Sequence, residues 1–539
     1  PQATVIIVGA GVAGVAAAHW LARRNFCVQI HEAGDCLGGR ARAAGPNDAG
    51  PLVPGTGQFA HYANHAVPAA DMLTINVENH RMGFASAPGH RLKQEDMAAS
   101  QQQADFLVNG ARQCAAYRMR DISLDYAINH FAQGFKLVEA DVAQAAGLAW
   151  HKKRMESLTG ADLANLSSSS GRMGWASSSS LPRVAVMDAD GNRSSSDYGV
   201  ASVLEALATA TLAEPTGSSI HLSSRVDSID YSSRAGGAVV VTTTDLITNS
   251  VQEHVADYVL VAAPLVALQQ KQQQAAEQTE ETKAAQLSGP SPILFVPDMP
   301  VEKREAINSI SLGSVNKITL EFSDAFWPSD VFEIQLTGQA DTGFSCFQSY
   351  VPILNRNTLV CLVGGSFATT IESWTDKDVV QAVVKSLCHS FKMPLDMCFA
   401  SLLSSSMTRW GQNTHSPAAT SFLPVGIDAH EISHALTSPL YTAGDSNTPC
   451  VFFAGEYCRH HEEGSTVEGA FVSAVEAAAQ IQKATTHTML TPEVLEALYA
   501  PTVHQEDDED FFSSSSDEED EEFSNGGGSE GDEDHKKTR

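Results

Sequence analysis

The hydrophobic positions change period several times along the chain, and each change marks an element. Thr4-Val5-Ile6-Ile7-Val8 is a continuous apolar, β-branched run, the pattern of a strand buried on both faces. Gly9-Ala10-Gly11-Val12-Ala13-Gly14 follows, and then an Ala-rich stretch from Val15 to Arg24 that suits a buried helix. A second apolar run, Cys27-Val28-Gln29-Ile30, leads to Glu32. Asp121 to Phe135 places Ile122, Tyr126, His130 and Phe131 at helical spacing, and residues from about 66 to 150 read as mainly helical. Tyr198 to Leu212 reads as a helix, while Ile220 to Ile229, Ala238 to Thr244 and Ala256 to Ala263 read as strands. Val315 to Phe322, Phe344 to Val351 and Thr358 to Val363 predict a second sheet, followed by a helix over Asp376 to Phe391. Cys450 to Ala454 is a last apolar strand, and a small-residue helix begins near Thr466.

Strand, GxGxxG turn, small-residue helix and strand over 4–30 form the pattern of a nucleotide-binding βαβ unit, and signals of that kind recur in the middle and near the other end of the chain, with other material between. The expected architecture is α/β: a discontinuous Rossmann-like domain at 1–65, 197–265 and 436–486, interleaved with an α+β substrate domain at 66–196 and 289–435. Gln269 to Ser288 has no apolar face and belongs to a Gln/Glu-rich insertion at 266–288. The serine runs at 167–170, 177–180 and 194–196 mark loops.

Composition adds limits. The chain has 539 residues, enough for two or three domains, and 43% hydrophobic residues, enough for a large core. Nine cysteines are scattered without a CxxC pair, which argues against a disulfide framework and a zinc site and suits an intracellular setting, cytoplasmic or nuclear. His460-His461 reads as a surface polar pair, since no third ligand stands at a plausible spacing; no metal is expected. No apolar run could span a bilayer. Pro1 lies hard against the first strand, as expected of a fragment or processed form. The net charge of −30 gives no reason to expect a direct nucleic-acid partner. Fifteen acids crowd into residues 506–539 against three basic residues, so 502–539 is expected to be a disordered tail. A phosphorylatable arm for basic protein partners and a solubilising tail are both open readings of it.

The first forty residues carry the chemistry. Strand, GxGxxG turn, helix, strand and acid fall in the register of a dinucleotide-binding βαβ unit. Gly9 allows the tight turn, Gly11 lets a pyrophosphate approach the backbone, and Gly14 allows close packing of helix on strand. The helix N-terminus offers N–H groups and a positive dipole end to phosphate, and Glu32 can accept hydrogen bonds from ribose. Lys317 lies inside an otherwise apolar strand, where a buried ammonium is costly. Alternation alone leaves open whether it faces outward or into a site.

Several segments together resemble the flavin-dependent amine oxidase family, which includes polyamine oxidases and lysine-specific histone demethylases. They are VIIVGAGVAG through HEAGDCLGGRAR at 5–42, ADYVLVAAPL at 256–265, GSVNKITLEFSDAFW at 313–327, TRW at 408–410, and VFFAGEYC with STVEGAFVSAVEAA within 451–478. The resemblance implies FAD. It implies Gly9, Gly11, Gly14, Gly38, Gly39 and Arg40 around the diphosphate, Glu32 at the ribose and Val226 at the adenine. Gly455 and Glu456 would reach the ribityl–phosphate region, and Thr466 and Val467 would set a helix N-terminus beside the flavin pyrimidine. Lys317 would hold a water at flavin N5, Trp410 would pack near the flavin, and His61 matches a substrate-side histidine of polyamine oxidases. Ala419 stands where monoamine oxidases carry a flavin-linking Cys, which implies non-covalent FAD. Thr420 and Thr466 fall at the two positions that many members fill with an aromatic amine cage, so Phe347 and Phe422 become candidates to line the substrate pocket instead. The implied activity is oxidation of a secondary, polyamine-type amine, with hydride transfer to flavin N5 and reoxidation by O2. The alternatives are a demethylase-like oxidase of N-methyl-lysine peptides and a catalytically weak FAD-binding scaffold.

Overall fold

The computed structural model describes residues 2–42, 121–134, 142–168, 200–232, 238–269, 292–337, 343–443, 447–461 and 464–486, with shorter stretches at 53–54, 72–76, 81–86 and 183–188 and between 102 and 113. The acidic tail and the insertion beyond Gln269 lie outside the described residues.

A six-stranded sheet gathers segments from the whole length of the chain. In spatial order its strands are Leu440–Tyr441, Pro449–Phe453, Tyr258–Val261, Thr4–Val8, Cys27–His31 and Ser219–His221, all parallel except the Leu440–Tyr441 edge. Alternation along the first strand explains its unbroken apolar run. Val5 and Ile7 face helices Val12–Ala22, Val200–Ala213 and Val467–Thr486, while Ile6 and Val8 face a second apolar layer with Val226, Ile229, Val241 and Phe295. Both faces are dry, as parallel sheets require. That second layer is roofed by a four-stranded sheet of Val251–Ala256, Val239–Asp245, Ser224–Asp230 and Leu294–Val296.

A second six-stranded sheet runs Leu402–Met407, Val315–Phe322, Thr358–Gly364, Cys346–Ser349, Val331–Thr337 and Arg81–Ser86. Helix Asp376–Phe391 packs on it through Val379, Val383, Val384 and Leu387, and Thr375 caps that helix by accepting from the Asp378 N–H. A short ribbon pairs Ser311–Gly313 with Thr420–Phe422 and feeds directly into strand Val315–Phe322.

Several expectations are corrected. The single strand expected over Ile220 to Ile229 is two strands in different sheets. Ser223, at φ 53, turns the chain between them, and the Ser223 and Ser224 N–H groups bond to the Gly34 and Glu32 carbonyls at 2.8 Å each. The region from 66 to 150 is not wholly helical: Met72–Asn76 and Arg81–Ser86 are strands, and the latter pairs in parallel with Val331–Thr337. A short segment read alone carries no sign of a partner some 250 residues away. Cys346–Ser349 is shorter than the strand expected over Phe344 to Val351, because a helical turn begins at Val351.

Candidate active site

The glycine turn builds one end of a cavity of about 650 Å³. Gly9 has φ +100, and its N–H bonds the His31 carbonyl at 2.8 Å. A Cβ on Gly14 would lie 1.9 Å from the Gly9 oxygen, so helix and turn touch where a side chain would stand. A Cβ on Gly11 would meet nothing within 4 Å, and Gly11 lines the cavity at the N-terminus of helix Val12–Ala22. Glu32 accepts from the Ala10 N–H at 2.7 Å through one carboxylate oxygen and from the Gly34 N–H at 2.7 Å through the other. The acid is thereby fixed to the glycine turn while its remaining lone pairs stay available. Gly38 bridges to Gly11 and donates its N–H to the Ala10 carbonyl at 2.9 Å, which holds the Gly38-Gly39-Arg40 turn against the first glycine loop. Val226 and Arg225 line the same end.

The C-terminal segment supplies the facing wall. Arg40 Nη1 donates to Glu456 Oε1 at 2.7 Å, a contact across 416 residues of sequence. Gly455 is clamped by Ser473, whose Oγ accepts from its N–H at 3.0 Å. Thr466 Oγ1 accepts from the Gly469 N–H at 2.9 Å, capping helix Val467–Thr486, and Thr466 and Val467 both line the cavity. Two helix N-termini and the Arg40 guanidinium therefore face one space.

A further part of the lining comes from the 410–420 segment. Trp410, Thr414, His415, Ser416, Ala419 and Thr420 line the cavity, and Arg42 lies 5.8 Å from the centre of the Trp410 ring. Asn316, 1% exposed, sets that segment: its Oδ1 accepts from the Trp410 N–H at 3.3 Å and from the Thr408 hydroxyl at 3.2 Å. Thr420 is buried, with its methyl in a notch where a Cβ on either Gly160 or Gly313 would come within 2.6 Å of it. Lys317 is half-buried beside Asn316. Its N–H bonds Thr408 Oγ1 at 2.8 Å and its carbonyl accepts from the Thr408 N–H at 3.0 Å, but it does not line the cavity. Neither does Phe347, which is buried in the second sheet's core, nor Phe422, which packs on a separate apolar cluster that includes Leu124 and Leu163. His61 lies outside the described residues.

Sequence reasoning missed Arg42, Arg225, Asn316, His415 and Ser421. Arg42 could have been found in the GGRAR motif; Asn316 and Ser421 act through tertiary hydrogen bonds that no spacing announces. His460, read as a surface residue, is 1% exposed, with Nε2 at 3.0 Å from Ser421 Oγ. Ser421 has a partner to offer, which makes the inside cheaper for this imidazole than its polarity suggests.

Electrostatics follow from burial. Desolvation pushes the Glu456 carboxyl upward, but Arg40, His460 and the Ser421 hydroxyl outweigh it and hold it below its ordinary value, as a carboxylate. His31 is lowered to about 3, first by burial and then by His254 and His221, whose rings lie 4.5 and 4.8 Å from its own. Among the described residues no group of three or more His, Cys, Asp or Glu side chains could hold a metal ion, and no helix is long and apolar enough to cross a membrane. The open space beyond Gly11, the two helix ends and the ribose-height acid fit a dinucleotide.

Comparison with known proteins agrees with this geometry. Residues 69–482 match the family described as flavin containing amine oxidoreductase, and residues 7–65 match the NAD(P)-binding Rossmann-like domain. The chain is 26% identical over 501 residues to lysine-specific histone demethylase 2 of Homo sapiens, covering 89% of this chain and 53% of that protein. It is 24% identical over 500 residues to polyamine oxidase 4 of Oryza sativa subsp. japonica, covering 89% and 88%. The structure of wild-type putrescine oxidase bound to putrescine shares the fold, with a TM-score of 0.64 at 15% identity over 89% of this chain and 99% of that one. The chain spans about half the length of the first demethylases it matches, 53% in each case.

Proposed function

Because this chain belongs to the flavin containing amine oxidoreductase family, with FAD as its cofactor, we propose that it oxidises the carbon–nitrogen bond of a secondary, polyamine-type amine and passes the electrons to dioxygen. The observation that carries the reading is that a single cavity is lined by Glu32 and Arg225 and also by Trp410, His415 and Thr420. One space holds a dinucleotide cradle and a chamber beside it. Bound FAD supplies a two-electron acceptor for the hydride leaving the carbon next to nitrogen.

The chain's own residues do the rest. Arg40 and the helix ends at Gly11 and Val467 balance the diphosphate and the electron-rich ring system. Ala419 offers no thiol, so the cofactor is held non-covalently. Trp410 is assigned a place beside the reacting region on its position in the cavity lining, and His61 a substrate-side role on the family resemblance alone. Lys317 is assigned proton handling through a bound water, supported by its place next to the Thr408–Trp410 segment. The products expected are an aldehyde, a shortened amine and hydrogen peroxide. The acidic run at 506–539 is proposed as an arm for basic proteins, on charge alone.

A second reading, oxidation of N-methyl-lysine in a peptide, is favoured by one feature: the small, inward-turned Thr420 side chain leaves that wall without a bulky ring. Anaerobic reduction of the bound flavin, followed near ~450 nm, separates the readings. Bleaching by spermine, spermidine or N-acetylated polyamines supports the first. Bleaching only by a dimethyl-lysine histone peptide moves the substrate to methyl-lysine. A yellow protein bleached by none of them sinks both and leaves an FAD-binding scaffold.

A further inference from the structure

Glu456 is held from both sides. Its Oε1 takes the Arg40 guanidinium at 2.7 Å, and its Oε2 lies 2.6 Å from Ser421 Oγ. Ser421 is 1% exposed and follows Thr420 on the short strand that walls the chamber. The same Oγ lies 3.0 Å from Nε2 of His460, also 1% exposed. Proton counting fixes the direction of these contacts. A carboxylate only accepts, and serine has one proton to give. That proton goes to Glu456, so Ser421 accepts from a protonated His460 Nε2. The opposite edge of the imidazole lies against the Gly464 backbone, where a Cβ would fall 2.6 Å from Nδ1. The Ser465 hydroxyl donates to the Ser421 carbonyl and pins the strand backbone. Donation thus runs from His460 to Ser421 to Glu456, and Glu456 in turn orients Arg40, which lines the cavity. Three segments far apart in sequence meet in this line, and all of it except Arg40 is buried.

We propose that Ser421 and His460 are positioning residues that hold the Glu456 carboxylate and, through it, aim Arg40 at the cofactor's diphosphate, setting how tightly FAD is held. The proposal rests on the FAD reading of the cavity and not on the amine reading. Charge-assisted hydrogen bonds of this kind are strong when buried, because neither partner has water to fall back on.

The test is titration of apo-protein with FAD, read by flavin fluorescence, alongside thermal unfolding of the apo-protein. Ser421→Ala is expected to weaken FAD binding about tenfold, equivalent to roughly 1.4 kcal/mol. His460→Leu weakens it in the same direction, and His460→Gln, whose amide can donate to Ser421, restores it to within about twofold of wild type. The Ser421→Ala/His460→Leu double variant is expected to bind no more weakly than Ser421→Ala, since the two act in series. In an Arg40→Ala background, Ser421→Ala has no further effect. The proposal is overturned if Ser421→Ala binds FAD as wild type does, if its loss persists undiminished in the Arg40→Ala background, or if Gln at 460 behaves like Leu. Should Ser421→Ala fail to fold, the His460→Leu and His460→Gln pair decides. Failure of the amine reading shows separately, as wild-type holoprotein that no amine bleaches.

Discussion

Gly11 and Gly14 sit three residues apart on one turn, yet a methyl group at each meets opposite surroundings. At Gly14 it would lie 1.9 Å from the Gly9 carbonyl oxygen; at Gly11 it would project into open cavity. Gly14→Ala is therefore expected to cost about 2 kcal/mol or more of folding stability through forced separation of helix and strand. Gly11→Ala, at an ordinary φ of −72, should leave urea unfolding within about 0.5 kcal/mol of wild type while weakening FAD binding. Equal destabilisation by the two would contradict the assignment of one glycine to packing and the other to the ligand. These two roles were legible in the sequence, because GxGxxG positions act through backbone geometry that the motif itself encodes. The roles of Asn316, Ser421 and His460 were not. Each depends on a hydrogen-bond partner brought in by the fold, and a lone polar residue in an apolar stretch does not say which face it takes.

At the scale of elements, a lysine more deeply buried than Lys317 escaped notice in the sequence. Lys317 is half-buried, whereas Lys303, in an unremarkable polar helix, is 4% exposed. Its Nζ donates to the Ala435 and Leu436 carbonyls at 2.9 and 2.8 Å, closing the C-terminal turn of helix Ala429–Thr437, and stands 3.9 Å from the centre of the Phe453 ring. Val301–Ser309 gives a weakly amphipathic pattern with Lys303 on its buried side, which reads as surface until the neighbouring helix end is known. Burial lowers Lys303 to about 7 from an ordinary 10.5. The neutral amine still has two N–H groups for its two carbonyls, so the fold favours the uncharged form. The unfolded chain then binds more protons between pH 7 and 10.5, and stability contributed by this group rises across that window and falls as pH drops back toward 7. Lys303→Met is expected to lose about 1 to 3 kcal/mol by orphaning the two carbonyls, and to flatten the alkaline rise. Urea unfolding of both proteins at pH 7 and pH 9 checks this; a variant with the wild-type rise would assign it to another group. The strands at 72–76 and 81–86 were missed for a related reason, since their pairing is settled by segments far along the chain.

For the whole molecule, acid stability depends in part on histidines that the fold keeps neutral. Burial lowers His19 to about 4, with Arg23 and Arg24 adding to it, and lowers His31 and His151 to about 3. Their unfolded value is near 6.5. Below it the unfolded chain takes up protons that the folded chain refuses, so the stability these groups give is complete above pH 6.5 and is lost as pH falls toward 4 and 3. Each can contribute a slope of about 1.4 kcal/mol per pH unit in that window. Denaturant midpoints should therefore fall steeply between pH 6.5 and 4.5; a flat profile would mean that these imidazoles reach water. The discontinuous α/β layout was legible at this scale because its strands are short apolar runs next to glycine turns. The second sheet's outer strands, with mixed patterns such as Leu402–Met407, were not.

The central sheet carries one more implication, for the order of events as the chain is made. Strand Tyr258–Val261 lies between Thr4–Val8, made well before it, and Pro449–Phe453, made well after it. Until the latter emerges, one edge of Tyr258–Val261 has no neighbour, Glu456 is missing opposite Arg40, and the cavity lacks the lining that Gly455, Thr466 and Val467 supply. A ribosome-bound chain must hold an apolar sheet edge open from the emergence of Tyr258–Val261 to that of Pro449–Phe453, the situation in which parallel, long-range pairings fold slowly and invite mispairing. Cofactor capture then waits for the segment that carries Pro449–Phe453 and Glu456, and the supply of FAD once it has emerged becomes a determinant of how many molecules reach the native state.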